Sequence, residues 1–261
     1  MSVYADVLRY RELFGNLFRR DLRVKYRGSV LGLVWSLANP LALMGIYFLV
    51  FAVLWKGANV PHYPLYLLTG LTLWIFFGVS LQTAATSMIA WASLIRKVRF
   101  PRQLVAFSVV GANVVTFAVM LLILLVACFI FVPESRSTEL LALPLAAVFV
   151  CLVGGMTLTI ACLDALFRDV EHLVGALLLP WFFVTPVFWD WSQFTEHPTI
   201  VNILRYGNPV SPPISAIRDP LWAGTLPRVT DVVYLVCAAA VALAIGAVTF
   251  RHYDDRIAVE L

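Results

Sequence analysis

Charge is what this sequence lacks most. Charged residues make up 13% of its 261 positions and hydrophobic residues 61%, where an average soluble domain is about 25% charged and roughly 45–50% apolar. That balance excludes a soluble globular enzyme. Several chemical signatures are missing as well. There is no G-x-x-x-x-G-K-[ST] phosphate loop, so the chain is not expected to bind and hydrolyse ATP itself. Neither H-E-x-x-H nor G-x-S-x-G occurs, which removes the usual signs of intramembrane zinc or serine hydrolysis. The cysteines Cys128, Cys151, Cys162 and Cys237 show no C-x-x-C spacing and no neighbouring His. They read as small packing residues, and no metal site is expected. No Asp, Glu, Lys or Arg falls in the middle of a candidate span, which argues against an ion-coupled carrier, because such carriers bind their ion near the bilayer midplane. The first 27 residues carry ten charges and no apolar core, unlike a cleavable signal peptide.

The few charges are clustered. Between them run uncharged stretches at 28–55, 57–95, 103–133, 140–163, 172–189 and 232–250, and a helix needs about 20 apolar residues to cross about 30 Å of hydrocarbon. The pattern predicts an all-α integral membrane protein with six transmembrane helices, at 31–55, 66–89, 103–132, 140–163, 173–189 and 232–250. These form one membrane domain, with no room for a separate soluble catalytic domain. Fourteen of the 19 Lys and Arg lie in 1–27, 96–102, 164–171 and 251–261, which alternate spans place on one side. By the positive-inside rule that side, with both termini, is cytoplasmic. The net charge of +4 therefore reflects topology, and no nucleic-acid partner is expected.

Within 1–27, Val3, Val7, Tyr10, Phe14, Leu17 and Phe18 recur at steps of mostly three and four, among Arg9, Arg11, Arg19, Arg20, Arg23 and Lys25. This predicts an amphipathic helix in the cytoplasmic headgroup layer, apolar face down, with its cations toward anionic lipid or a partner. Asn39-Pro40 should kink span one. On the cytoplasmic side between spans two and three, 90–102 contains Ser93-Leu94-Ile95-Arg96-Lys97-Val98-Arg99-Phe100-Pro101-Arg102, with four cations and no acid. It reads as a short helix ending in a turn, Pro101 standing where span three should start. A tight loop at 133–138 makes spans three and four antiparallel neighbours, and Gly154-Gly155 with Thr157 and Thr159 offers a small-residue surface for close helix approach. Pro180 and Pro186 interrupt span five. Beyond it, Pro198, Pro209, Pro212, Pro213, Pro220 and Pro227 break an apolar segment, 190–231. That predicts short re-entrant helices dipping into the outer leaflet, tolerated where protein or water satisfies the backbone.

Aromatic residues are abundant: 8 Trp, 9 Tyr and 18 Phe. Two groups fall inside spans, Trp74, Phe76 and Phe77 in span two and Trp181, Phe182 and Phe183 in span five. Aromatic faces stack on the apolar faces of sugar rings and leave the hydroxyls to water, so these six are candidates to line a sugar conduit. Trp189 and Trp191 fit the interfacial belt better.

Lys25-Tyr26-Arg27-Gly28-Ser29-Val30-Leu31-Gly32-Leu33-Val34-Trp35, leading to Asn39-Pro40-Leu41, resembles the first-span signature of the ABC-2 type permeases that export polysaccharides and polyol phosphates. Three further blocks agree in order and spacing: Leu94 to Pro101, Phe167-Arg168-Asp169-Val170 with Thr185-Pro186-Val187-Phe188, and Asn208-Pro209 with Arg218. One departure is the Pro212-Pro213 pair. The resemblance implies a half-transporter of the bacterial cytoplasmic (inner) membrane. Two copies would pair around a conduit for a lipid-linked polysaccharide of O-antigen, capsule, teichoic-acid or galactan type. Two separate ATP-binding subunits would carry the ATP and Mg, and this chain would hold no cofactor. The resemblance makes Ser93, Leu94, Ile95, Arg96, Lys97, Val98, Arg99, Phe100 and Pro101 the ATPase-coupling loop. Phe14, Phe18, Arg19, Arg20, Arg23 and Lys25 would form a second contact through the interface helix. Pro186, Asn208, Pro209 and Arg218 fall in the outer gate, within 190–231 and the end of span five. The alternative from another class is a membrane-embedded enzyme of lipid-linked sugar metabolism, for which Asp164, Asp169, Glu171 and His172 are the candidates.

Overall fold

The computed structural model describes residues 6, 9–26, 33–50, 61–98, 100–191 and 198–260, and no strand occurs among them. In chain order the helices are α1 (Arg11–Tyr26), α2 (Leu33–Tyr47), α3 (Tyr63–Ala90), α4 (Ala92–Ile95), α5 (Gln103–Phe131), α6 (Ala142–Leu166), α7 (Asp169–Val184), α8 (Pro198–Gly207), α9 (Ser211–Arg218) and α10 (Val229–Glu260). Two 3-10 turns, Pro133–Ser137 and Glu139–Leu141, join α5 to α6, and a π turn, Asp219–Ala223, follows α9.

Four helical stretches among the described residues are long and apolar enough to cross a membrane: Tyr63–Ala90, Gln103–Phe131, Glu139–Leu166 and Val229–Asp254. They coincide with the second, third, fourth and sixth expected spans. At the first and fifth, α2 has 15 residues and α7 has 16, with Pro40 and Pro180 inside them. Residues 31, 32 and 51–55 of the first expected span lie outside the described residues. Several hydroxyls within the long helices are satisfied locally. Thr69, Thr83 and Thr157 donate to the carbonyls of Leu65, Val79 and Gly154 at 2.7–2.9 Å, as an apolar surround demands.

α3 is the central helix. Its apolar stretch is 72% buried, against 28% for α5 and 22% for α10, whose outward Leu122, Val126, Phe129, Val233, Val241 and Val248 are exposed. Phe76 of α3 stacks on Phe117 of α5 at 4.5 Å and lies near Phe149 of α6 at 6.1 Å. On its other side α6 meets α10 backbone to backbone. A Cβ on Gly155 would stand 2.4 Å from Leu243 N, and one on Gly246 would stand 2.7 Å from Gly155 O. Only glycine permits that approach, the contact type that drives helix association in lipid.

α1 differs from expectation. Its apolar face packs on α5 rather than facing lipid alone: Leu17 is buried, and the stacked Phe14 and Phe18 rings meet Gly111, where a Cβ would lie 3.2 Å from Phe18. The missing side chain at Gly111 opens the slot that admits Phe18. α1 runs along α5 to Lys25, which donates to Asn113 and Thr116, each at 2.8 Å, and ahead of α1 Asp6 accepts from Gln103 at 2.7 Å.

Candidate functional site

The two ends of α3, about 42 Å apart at 1.5 Å per residue, carry two different constructions. At its C-terminus, Trp91 ends the helix and Ala92–Ile95 form one separate turn capped by Arg96, the short helix and turn that the residues predict. Ile95 is buried, Leu94 and Phe100 are half-buried, and Ser93, Arg96, Lys97 and Val98 are exposed. The segment is thus anchored by its apolar side chains and presents cations outward. Arg99 lies outside the described residues. Pro101 stands two residues before α5, and its carbonyl accepts from Leu104 N at 3.1 Å.

α1 braces this end. Arg20 lies over the Trp91 ring, 3.6 Å from its centroid, a cation–π contact. Ser108 donates to Asp21 at 2.6 Å. Burial raises the Asp21 carboxyl above its ordinary value, against the lowering effects of Ser108, Arg20 and a hydrogen bond from Trp91. Asn113, which accepts from Lys25, donates in turn to Thr83 at 3.0 Å, so Lys25 joins α1 to both α5 and α3. Arg19 and Arg23 are exposed.

At the opposite end, the chain leaving α7 at Thr185 runs without helix through Pro186–Trp189, where four consecutive carbonyls have no helical partners. Each is supplied with a donor. Arg218 of α9 donates from Nη1 to Pro186 O at 2.7 Å and from Nη2 to Val187 O at 3.1 Å. Tyr63 donates to Phe188 O at 2.7 Å and Tyr66 to Trp189 O at 2.6 Å. The guanidinium also lies 3.8 Å from the Tyr66 ring centroid. It occupies the space left by Gly70, where a Cβ would be 2.2 Å from Arg218 Nη2. Asn208 completes the closure: it accepts from Trp181 Nε1 at 2.8 Å and from Val210 N at 3.0 Å, and donates to Thr185 at 2.9 Å. Three of the four predicted outer residues are therefore brought into one network with Trp181. Pro209 lies beside it, in the wall of a cavity of about 480 Å³ between α7 and α8 that also includes Trp181 and Asn208. The Pro212-Pro213 pair sits in the first turn of α9, where proline is accommodated.

The rest of this cap is tied at several points. Trp222 donates to Pro61 O at 2.6 Å, and Thr138 to Pro220 O at 2.9 Å. Arg205 forms a buried ion pair with Asp231. Burial, reinforced by the charge of Asp231, pushes the Asp219 carboxyl up to about 6. Residues 192–197 of this segment lie outside the described residues.

Five of the six aromatic candidates meet in one place, while Phe76 packs toward Phe117 of α5 and Phe149 of α6 instead. Trp181 is edge-on to Phe77 at 5.1 Å and to Trp74 at 6.4 Å, and Phe182 is edge-on to Phe183 at 5.5 Å. Phe183 is exposed and Trp181 partly so, while Trp74, Phe77 and Phe182 are buried behind them. The alternative acidic candidates serve a turn: Asp164 accepts from Glu171 N at 2.8 Å, and Asp169 and Glu171 lie in the first turn of α7, where a helix dipole favours them. No group of three or more His, Cys, Asp or Glu side chains gathers among the described residues.

Sequence reasoning missed Tyr63, Tyr66 and Gly70. Their spacing of three and four places all three on one face of α3, and that was the available signal. Arg205 with Asp231, and Arg102 with Asp254, left no such trace.

An apolar helical bundle with an anchored cationic turn at one end and a hydrogen-bonded cap at the other is the architecture of a multi-pass membrane protein. The family model described as ABC-2 type transporter matches residues 12–222, from α1 to the π turn, and the chain belongs to that family. It is 28% identical over 258 residues to the O-antigen export system permease protein RfbA of Myxococcus xanthus, covering 99% of this chain and 98% of that protein. It is 31% identical over 208 residues to a protein of the same description from Klebsiella pneumoniae, covering 79% of each.

Proposed function

We propose that this chain is the membrane permease of an ATP-driven O-antigen-type exporter, moving a lipid-linked polysaccharide across the bacterial inner membrane. Two copies form the conduit, each with six spans, of which α2 and α7 are parts of the first and fifth, and both termini are cytoplasmic. Two copies of a separate ATP-binding subunit supply the ATP and Mg. Residues 93–101 dock on that subunit with α1 beside them, and 190–231 forms the re-entrant outer gate. Phe183 and Trp181 face the conduit, with Trp74, Phe77 and Phe182 packed behind, and Phe76 supports α3 from the α5 and α6 side.

The observation that carries this reading is the α4 segment. A chain with no phosphate loop holds Ile95 in its core and turns Ser93, Arg96 and Lys97 outward, an arrangement suited to receiving force from another subunit. The permease relatives from two organisms support the cargo class. The test is the triple variant Arg96→Ala/Lys97→Ala/Arg99→Ala, assembled with the ATP-binding subunit and assayed for export and ATP hydrolysis together. Hydrolysis should continue while export is lost; unaltered export with unaltered hydrolysis removes the coupling assignment. Trp181→Ala and Phe183→Ala should lower polymer passage more than assembly, and no effect of either returns these aromatics to packing.

A further inference from the structure

Both flanks of the 93–101 segment are held, and by different parts of the chain. The first is Trp91, under Arg20. The second is Arg102, whose Nη1 donates to Asp254 Oδ1 at 2.9 Å and also to the Asp254 backbone carbonyl. Asp254 belongs to α10, 152 positions away in sequence. α10 does not stop where its apolar stretch ends at Phe250. It continues as helix to Glu260, through a run bearing Arg251, His252, Asp254, Asp255 and Arg256. Crossing a membrane does not require this extension, and a polar helical end with no packing role would fray. Instead Ile257 is fully buried in the cluster that holds Ile95, Leu104 and Val105, with Phe250 beside it and Tyr253 packed against it.

We infer that the cytoplasmic extension of α10 is a brace for the coupling segment, with Asp254 as the positioning residue for Arg102. This rests on the proposed coupling role of 93–101. Past α4, the apolar hold on the segment is the half-buried Phe100, and Pro101 has no amide hydrogen to donate. Both bonds from Arg102 leave Nη1, one to the side chain and one to the backbone carbonyl of Asp254, so this end of Arg102 is tied to a single residue of α10. With Arg102 so fixed, force on the exposed Arg96 and Lys97 moves α5 and α10 together. With Arg102 released, the same force bends the loop.

The experiment uses the full transporter in liposomes and reads polymer exported per ATP hydrolysed, normalised to assembled complex. Asp254→Asn keeps the shape and removes the charge. Because the pair is part-exposed, its loss should lower the ratio about two- to five-fold. Arg102→Gln should do the same, and the double variant should be no worse than either single one, as expected of a contact acting as one unit. The reversal Arg102→Asp/Asp254→Arg should recover most of the ratio. Ile257→Ala, which empties the buried anchor and leaves the pair intact, should lower it in the same direction. A purely structural role reduces the amount of complex and leaves the ratio per complex unchanged. Wild-type ratios in both Asp254→Asn and Ile257→Ala overturn the brace. The Arg96/Lys97/Arg99 triple variant, run alongside, separates the two failures: if it uncouples while the brace variants do not, only the brace falls, and if it does not uncouple, the coupling reading falls with it.

Discussion

Replacing Arg218 by Met tests whether the cap is held by the guanidinium or merely surrounds it. Met has similar length and leaves the apolar contacts of α9 largely in place, but it removes the donors to Pro186 O and Val187 O. Both carbonyls then remain buried without a partner, at about 1–3 kcal/mol each, and the contact with the Tyr66 ring at 3.8 Å is lost at about 2 kcal/mol. Against this, the cost of holding a charge out of water disappears. The net expectation is a loss of about 3–4 kcal/mol confined to the cap. Hydrogen exchange in lipid nanodiscs reads it directly. Amides of α9 should exchange roughly 150- to 700-fold faster, since each factor of ten is about 1.4 kcal/mol, while those of α5 stay as they are. Gly70→Ala should produce the same pattern from the other side, because its Cβ would stand 2.2 Å from Nη2 and 2.8 Å from Val187 O, and the carbonyl is backbone that cannot swing away. The two changes share one contact, so their combined cost should fall short of the sum. A loss below about 1 kcal/mol for Arg218→Met, or equal acceleration in α5 and α9, refutes the assignment of the cap's stability to this residue.

Gly224 lies at φ +64°, and a Cβ there would be 2.5 Å from Glu134 O. Gly224→Ala should therefore cost about 1–3 kcal/mol and loosen the π turn from the 133–137 turn, seen as faster exchange of both; protection unchanged in either turn would contradict the contact. Gly155→Ala forces α6 from α10 against backbone at 2.4 Å and should lower the thermal midpoint of the purified permease, whereas Gly154→Ala, which meets nothing within 4 Å, should not; equal effects would exclude the close crossing as the cause. Asp219 is raised to about 6 by burial and then by Asp231, so the folded chain holds this proton longer than the unfolded one. Its contribution is most favourable below about pH 4 and is lost as pH rises toward 6, by at most about 3 kcal/mol. Asp219→Asn should flatten that part of the stability profile in denaturant titrations at pH 4, 5, 6 and 7, and an unchanged slope would assign the dependence elsewhere.

The long helices were legible because spanning is a property of one segment at a time. Tyr63–Ala90 or Gln103–Phe131 declares itself by length and hydropathy alone, with no knowledge of its neighbours. The α4 turn was legible for a related reason: three cations without an acid, ending in proline, leave a short run few other structures to form. The placement of α1 was not legible. Its apolar stripe of Phe14, Leu17 and Phe18 suits lipid and protein equally. The choice between them is made by Gly111, an unremarked glycine in another helix whose missing side chain admits the Phe18 ring.

The cap shows the same limit more sharply. Prolines in 190–231 announce that the backbone is broken, and a broken backbone in an apolar setting must find donors and acceptors inside the protein. The residues thus state a requirement and do not say what meets it. Pro186 to Trp189 need four donors, and they come from α9 and from the first turn of α3, more than a hundred positions away for the tyrosines. What the chain does offer is a matching set: two tyrosines three residues apart and a glycine four further on, all on one face of an apolar helix. The hydroxyls meet two of the orphan carbonyls, and the glycine leaves room for the guanidinium that meets the other two. A polar residue in an apolar run thus predicts that a partner exists. It becomes a prediction of which partner only when a second run carries the complementary groups at a spacing one helix face can present. Arg205 and Asp231 meet the first condition and not the second: each stands alone at its helix end, and the buried pair they form had no spacing to betray it.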